Sequence, residues 1–228
     1  MLYFVDPQLE EIFTECNVGS KESIDYLYVD GAVDDDNYGS ILKYIMDSLK
    51  QYNSIAFVCQ GNPRLGVSLV DMLWAIQESE GFDLELIAGV SSFETLIIDV
   101  RCDPLERGVV MMDANRWLLF NHVPNIELDY FIYHICSIAT KGTNYSDPSI
   151  DNRLDLLQAS LLQAYPPDHK CKIVQSSGAG TGSEVIFEVA MANLQEAMPE
   201  IGFATTLFIP AAREASLEPG ILNILLGQ

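Results

Sequence analysis

Ser54-Ile55-Ala56-Phe57-Val58-Cys59 runs into Gln60-Gly61-Asn62-Pro63, and Leu84-Glu85-Leu86-Ile87 runs into Ala88-Gly89-Val90-Ser91-Ser92. Each is an apolar run ending in a glycine turn. The first suits a strand covered on both faces, and Gly-Asn-Pro marks where it turns. A helix is predicted from about Val67 to Glu78, and a second from Ser92 to about Val100. Strand, loop and helix thus alternate over residues 54–100, the pattern of a doubly wound parallel sheet. Such sheets hold ligands outside the carboxyl ends of their strands. Gly61 and Gly89 let backbone approach a ligand without a Cβ between them. Ser91 and Ser92 offer hydroxyls there, and the following helix offers free N–H groups. Neither loop is a Walker loop or a G-x-G-x-x-G fingerprint, so nucleotide phosphates are not indicated. A plain structural turn remains the alternative for both.

Upstream, Leu2-Tyr3-Phe4-Val5 reads as a short buried strand stopped by Asp6-Pro7. Leu9, Ile12 and Phe13 have helical spacing. Asp30 to Asn37 is predicted as a polar acidic loop. An amphipathic helix follows from Tyr38 to Gln51, with Ile41, Leu42, Ile45, Met46 and Leu49 on one face.

Downstream the pattern changes. Val109–Met111, Trp117–Phe120, Tyr130–Ile138, Lys172–Gln175, Val185–Val189 and Thr205–Ile209 read as strands, with helices near Ile150–Ala164 and Leu194–Met198. More strands and fewer crossovers imply a mixed-sheet lobe. The expected division is 1–124 for a parallel-sheet lobe and 125–228 for a mixed-sheet α/β lobe. Ser176 to Ser183 is rich in glycine and serine and reads as a mobile loop. Gly220 to Gln228 is apolar and reads as a terminal packing helix.

The totals exclude several classes of function. Against 33 Asp plus Glu stand 12 Lys plus Arg, a net charge of -21. That balance opposes a nucleic-acid groove and adhesion to anionic membranes. No apolar stretch reaches the roughly 20 residues a membrane helix needs. Cys16, Cys59, Cys102, Cys136 and Cys171 are dispersed, as thiols in a reducing compartment are, and a cytoplasmic location is expected. His122, His134 and His169 have no zinc-ligand spacing, so no metal is expected, and no nucleophile elbow is visible.

A family resemblance now adds to this reading. Gly61-Asn62-Pro63 with Gly66-Val67 resembles the G-[DH]-P loop of the tetrapyrrole methylase superfamily. Gly89-Val90-Ser91-Ser92 resembles that superfamily's G-[IV]-S-[SA] loop. Asp99-Val100-Arg101-Cys102-Asp103-Pro104 is similar to the A-D-L-x-x-D-P stretch of the borosin peptide N-methyltransferases. Pro124-Asn125-Ile126 is similar to their V-N-I, and Thr205-Thr206-Leu207-Phe208-Ile209-Pro210 to their S-T-[LF]-[YF]-[IV]-P. Asp6-Pro7, and Tyr28-Val29-Asp30-Gly31 through Tyr38, follow the same order. The likeness covers most of the chain.

The resemblance implies a tetrapyrrole-methylase-like α/β protein that binds S-adenosylmethionine between two lobes. It implies a homodimer, or pairing with a homologous chain. By the same likeness Gly61, Asn62, Pro63 and Val67, then Gly89, Ser91 and Ser92, wrap the cofactor. Tyr133, His134 and Thr206 border it, and Tyr28 and Tyr38 are the catalytic pair of a peptide channel. The activity implied is methylation of backbone amides in a peptide supplied in trans, a step in the biosynthesis of ribosomally made peptides. An amide nitrogen is a poor nucleophile. A tyrosine, ordinarily near pKa ~10, would serve as base if its neighbours lowered that value, and a second donor would hold the carbonyl oxygen. Packing against a strand and a helix is the alternative role for both tyrosines.

The sequence also departs from that family. Family members ordinarily open with a strand, glycine loop and helix before the segment that resembles Leu2 to Pro7. By this likeness the usual first strand is expected to be absent from this sequence, whether through truncation, a short natural chain or degeneration. Asp34 stands where the borosin enzymes carry an arginine, the first loop is two residues longer, and Ala88 replaces a proline. These departures favour a second reading, a catalytically degenerate methylase-fold protein acting as a binding or partner subunit. Methylation of a cyclic metabolite such as a tetrapyrrole is a third.

Overall fold

The structure, a computed structural model, describes residues 1–7, 9–176 and 185–227. Most of the glycine- and serine-rich loop expected at 176–183 lies outside the described residues.

The first sheet has three parallel strands: β1 (Leu2–Phe4), β2 (Lys21–Ser23) and β3 (Ala56–Val58), in the order β2-β1-β3. Tyr3 pairs with Glu22 on one side and Phe57 on the other. Alternate side chains along a strand point to opposite faces, and β1 uses both. Tyr3 enters a core with Ile24, Ile41, Ile45, Leu69 and Leu73. The last four belong to α2 (Asp34–Leu49) and α3 (Ser68–Glu80), which cover that face. Phe4 turns to the other face, 5.3 Å from the Phe13 ring of α1 (Leu9–Glu15). Burying a side chain such as Ile41 or Ile45 contributes about 1.5–3 kcal/mol.

The second sheet is mixed. Its order is β4-β5-β8-β6-β7, from β4 (Val109–Asp113), β5 (Asp129–Tyr133), β6 (Lys170–Gln175), β7 (Val185–Ala190) and β8 (Thr206–Ile209). β4 and β5 are parallel, and the other pairings are antiparallel. On one face Tyr130, Ile132, Cys171, Ile173, Leu207 and Ile209 pack in the main core. That face is covered by α6 (Ala114–Leu119), α7 (Leu154–Leu161) and a 3-10 helix at Met191–Glu200. On the other face Phe131, Val174 and Phe208 meet Leu96 of α4 (Ser92–Asp99). One more short helix, α5 (Pro104–Arg107), precedes β4.

The expected α/β class, a parallel sheet and then a mixed one, is borne out. Five local expectations are corrected. The strand expected over Tyr130–Ile138 ends at Tyr133, where His134 turns left-handed into a 3-10 helix at Ile135–Ser137. Trp117–Phe120 is not a strand: Trp117 to Leu119 complete α6, whose first turn Asp113 caps by accepting the Arg116 N–H at 2.8 Å. Trp117 is fully buried and donates Nε1–H to Ser160 Oγ at 2.9 Å. The acidic run is not all loop. Asp34, Asp35 and Asp36 form the first turn of α2, where the helix dipole favours anions. Leu84 to Ile87 takes no regular secondary structure and joins no strand ladder among the described residues. Residues 219–226 do form a helix, α8 (Pro219–Leu226), but it buries no residue, and Ile221, Ile224 and Leu225 are exposed.

Candidate functional site

The two glycine loops meet. A Cβ on Gly89 would lie 2.4 Å from the Gly61 carbonyl oxygen, and one on Gly61 would touch Val90 and Ser91 at 3.7 Å. Gly61 has φ +77°, which only glycine adopts freely. Asn62 shapes the first loop by accepting the Arg64 N–H at 2.9 Å. Pro63 follows in the same turn, and Val67 is the residue that opens α3. Ser91 opens α4 through a capping box. Its hydroxyl bonds the Glu94 carboxylate and accepts from Phe93 N–H at 3.2 Å, while its own N–H reaches Glu94 at 2.8 Å. That commits Ser91 to the helix start. Ser92 is exposed.

The far side of this cradle comes from the second sheet. Tyr133 ends β5 and His134 follows it in the left-handed region, φ +57°. The β5–β8 pairing ends at Ile132 opposite Leu207, so one step further sets Tyr133 across from the buried Thr206. The Tyr133 hydroxyl is buried with no hydrogen-bond partner of normal geometry. Burial pushes its pKa up to about 12, with the nearby Ser92 hydroxyl pulling the other way. His134 reaches back to the first loop: a Cβ on Gly66 would lie 3.4 Å from its Nε2. The structure thus brings Gly61 to Gly89 and Ser91, the first loop at Gly66 to His134, and Ser92 to Tyr133, with Thr206 across from Tyr133 and Asn62, Pro63 and Val67 on the first loop.

The tyrosine pair sits beside it. Tyr28 and Tyr38 meet edge to face, ring centroids 5.8 Å apart. The buried Asn37 fixes this corner, since its side chain accepts from Val29 N–H at 2.9 Å and donates to Val29 O at 3.0 Å. Asp30 accepts from Tyr145 N–H at 2.7 Å, which ties the same loop to the chain beyond β5. Asp34 lies at the centre. It accepts from Tyr28 Oη at 3.1 Å, from Thr143 Oγ1 at 3.1 Å and from Thr143 N–H at 3.3 Å.

Burial first, and then the Asp34 carboxylate, drive the Tyr28 phenol well above its ordinary range. Tyr38 is raised by burial, then by Asp34 and Cys59. The surroundings thus act against the lowered pKa that a tyrosine base would need. Both phenols are held protonated, as hydrogen-bond donors. Cys136 lies within electrostatic range of Tyr28, Asp34 and Asp113, so the pair and the rim belong to one region.

The sequence reading missed Asp113. Its carboxylate is 2.6 Å from His134 Nδ1. Burial acts to raise its pKa, but the His134 bond and the backbone N–H groups of Arg116 and Asn115 outweigh it and hold it below the usual carboxylate range. The other histidines have structural places. His122 packs on Trp117 and Tyr130, and His169 donates Nε2–H to Pro210 O at 2.9 Å. Among the described residues no three His, Cys, Asp or Glu side chains group as a metal site would need. Among the same residues no helix is long and apolar enough to cross a membrane.

These features define the fold of the tetrapyrrole methylases. Uroporphyrin-III C-methyl transferase from Thermus thermophilus, solved with S-adenyl homocysteine, superposes with a TM-score of 0.59 at 12% identity, covering 92% of this chain and 84% of that one. The methyltransferase CobJ gives 0.56 at 12% identity, covering 96% of each chain. In sequence the chain is similar to borosin-type proteins. The methyltransferase/cyclic peptide precursor of dendrothelin A from Dendrothele bispora is 23% identical over 226 residues, 97% of this chain and 53% of that protein. The omphalotin A precursor from Omphalotus olearius is 23% identical over 217 residues, 93% of this chain and 51% of that protein. The chain spans about half the length of these curated relatives. No family model matches it. Both expected likenesses, to the tetrapyrrole methylases in fold and to the borosin proteins in sequence, are borne out.

Proposed function

We propose that this chain binds S-adenosylmethionine at the rim of Gly61, Gly89, Tyr133 and Thr206, and methylates backbone amides of a peptide supplied in trans. The observation that carries the reading is the cradle: two glycine loops in close backbone approach, with the second loop's Ser92 beside the buried Tyr133 hydroxyl, which has no hydrogen-bond partner of normal geometry. A ligand with hydroxyl and amine groups fits such a lining. Gly61, Asn62, Pro63 and Val67 form one wall, Gly89 and Ser92 a second, and Tyr133, His134 and Thr206 the third. Ser91 holds the second wall in shape. The likeness to borosin precursors, proteins whose names join a methyltransferase to a cyclic peptide, favours a peptide as acceptor.

When bound, the sulfonium supplies an electrophilic methyl group. The chain's own task is then positioning and stabilising charge on the acceptor amide. As the amide nitrogen attacks, its carbonyl oxygen gains negative charge. Tyr38, protonated and making no hydrogen bond among the described residues, is the donor available to that oxygen. Tyr28 already donates to Asp34 and packs Tyr38 in place.

The two-lobe division is part of this proposal. The pairing of Val109–Asp113 with Asp129–Tyr133 argues for a cut before β4 rather than at 124/125. The five free cysteines support a cytoplasmic setting. Assembly as a homodimer, or with a homologous chain, is proposed with the rest.

One observation favours the second reading, a partner subunit without catalysis. Asp34 places an anion beside the tyrosines, where it opposes charge developing on a substrate oxygen. Calorimetric titration with S-adenosylmethionine and S-adenosylhomocysteine is the first test, followed by mass spectrometry of candidate peptides. Micromolar binding with added methyl groups supports the enzyme. Binding without transfer supports the partner subunit. Folded protein that fails to bind at millimolar ligand rejects the cofactor site.

A further inference from the structure

We infer that His134, oriented by Asp113, is the proton acceptor of the site, taking the proton that the acceptor nitrogen must lose during methyl transfer. The inference rests on the methyl-transfer reading and supplies a base where burial and the Asp34 carboxylate act against ionising Tyr28 and Tyr38.

Three observations converge on His134. Asp113 lies 2.6 Å from Nδ1. A carboxylate accepts there, so Nδ1 carries the hydrogen and Nε2 keeps its lone pair. Asp113 is itself fixed, because it caps α6 by accepting from Arg116 N–H at 2.8 Å. Nε2, in turn, makes no hydrogen bond among the described residues and points toward Gly66. A Cβ on Gly66 would sit 3.4 Å from Nε2, in van der Waals contact, so Nε2 lies beside the first glycine loop. Finally, His134 holds a left-handed backbone conformation at the end of β5. Non-glycine residues persist there where the surroundings over-determine them, as at functional sites. With its side chain 44% exposed, the imidazole remains reachable by a substrate.

The step balances. The amide nitrogen forms its bond to the methyl carbon, and the carbon–sulfur bond breaks with its pair left on sulfur. The N–H proton passes to Nε2, and Asp113 faces the resulting imidazolium through Nδ1–H. The same positioning logic serves a carboxylate–imidazole base in hydrolases. His134 acts directly on the substrate, and Asp113 is a positioning residue. Among the surrounding charged groups, Asp113 faces the ring from the β4–α6 junction. Cys136 is near enough to respond to Asp113. Arg64 of the glycine loop is turned away to Asp71, at 2.6 Å, and onto the Trp74 ring.

The test pairs a tautomer measurement with kinetics on the full chain. Nitrogen-detected NMR of the imidazoles, read against His134→Gln for assignment, should show His134 as the Nδ1–H tautomer. In Asp113→Asn, which can still cap α6, the proton should move to Nε2. An Nε2–H tautomer in the parent chain overturns the proposal whether or not the protein methylates anything. In peptide methylation assays, His134→Gln and Asp113→Asn should lower kcat by about 10²–10⁴-fold and 10-fold or more, the scale of general-base catalysis. Because His134 also lines the proposed cofactor wall, rates are compared at saturating cofactor, and in Asp113→Asn binding of S-adenosylhomocysteine should stay within about threefold. The acidic limb of the kcat/KM pH profile should disappear in His134→Gln. Unchanged kcat and an unchanged limb in that variant overturn the base while leaving the transferase reading intact. A parent chain that binds the cofactor and methylates no peptide overturns the transfer reading, and the base with it.

Discussion

Asp34 gathers three hydrogen bonds at one carboxylate, and the one from Tyr28 Oη, at 3.1 Å, ties the candidate catalytic pair to the first turn of α2. In Asp34→Asn one acceptor oxygen becomes a donor amide, so it can no longer satisfy all three donors. A cost of about 1–3 kcal/mol follows from the group left unsatisfied, measurable by urea unfolding. The same change removes the anion that, after burial, most raises the Tyr28 phenol. Tyr28 should then ionise at a lower pH than in the parent chain, still above the ordinary tyrosine value because burial remains. Phenolate absorbance during alkaline titration reads this directly. An unshifted curve would mean that Asp34 does not govern Tyr28.

Several other neutral groups set an alkaline limit on stability. Burial lifts the Cys171 thiol from 9.0 to about 12, and burial with the Asp129 bond lifts Cys102 to the same level. Tyr133 rises from 10.0 to about 12. Each folded pKa exceeds its unfolded value. The folded state therefore binds more protons above pH 9, and stability falls as pH rises. Stability should be flat from about pH 7 to 9 and decline continuously from 9 to 12. Thermal midpoints across that range check the sign. A midpoint that climbs above pH 9 contradicts these assignments.

The contact between the glycine loops gives a sharper steric prediction. In Gly89→Ala the new methyl carbon would fall 2.4 Å from the Gly61 carbonyl oxygen, a backbone atom that cannot rotate aside. Overpacking of this kind costs about 1–3 kcal/mol. At this chain length that lowers Tm by about 2–4 °C per kcal/mol. If the loops form the cofactor wall, affinity for S-adenosylhomocysteine should fall at least tenfold as they separate. Calorimetry with differential scanning fluorimetry measures both. A variant with lowered Tm and intact affinity would remove these loops from the cofactor site.

The parts of this site that reside in local sequence were legible. A short apolar run ending in Gly61, and a helix opening at Ser91 with Glu94 three residues on, each announce their own geometry. Trp117–Phe120 was not legible, because an apolar run of four suits strand or helix equally. The Asp113 cap decides it, and that cap works through backbone N–H groups that composition does not reveal. The acidic run at Asp34 reads as solvated loop until the helix dipole gives it a place. Asp113 and His134 stand 21 residues apart on different elements and meet only because β4 and β5 pair in parallel. Leu84–Ile87 has the composition of a strand, but strand ladders need a neighbour, and neighbours are a property of the whole fold.

The two tyrosines should respond differently to the loss of a hydroxyl, and that difference tests their roles. Tyr28 donates to Asp34, whereas Tyr38 makes no hydrogen bond among the described residues and presents its phenol beside the Tyr28 ring. Tyr28→Phe should therefore register mainly in stability, by about 0.5–1.5 kcal/mol for one lost hydrogen bond. Transfer to peptide should change little. Tyr38→Phe removes no internal bond, so stability should hold. If Tyr38 supports the amide oxygen as charge develops, kcat should fall by about 10²–10³, the cost of losing one such donor. KM for peptide and affinity for S-adenosylhomocysteine should stay nearly constant, because the contact strengthens only in the transition state. Single-turnover methylation followed by mass spectrometry separates the outcomes. Equal losses of kcat in both variants would point to a shared packing role. An active Tyr38→Phe enzyme would leave the amide oxygen to be held by something other than this pair.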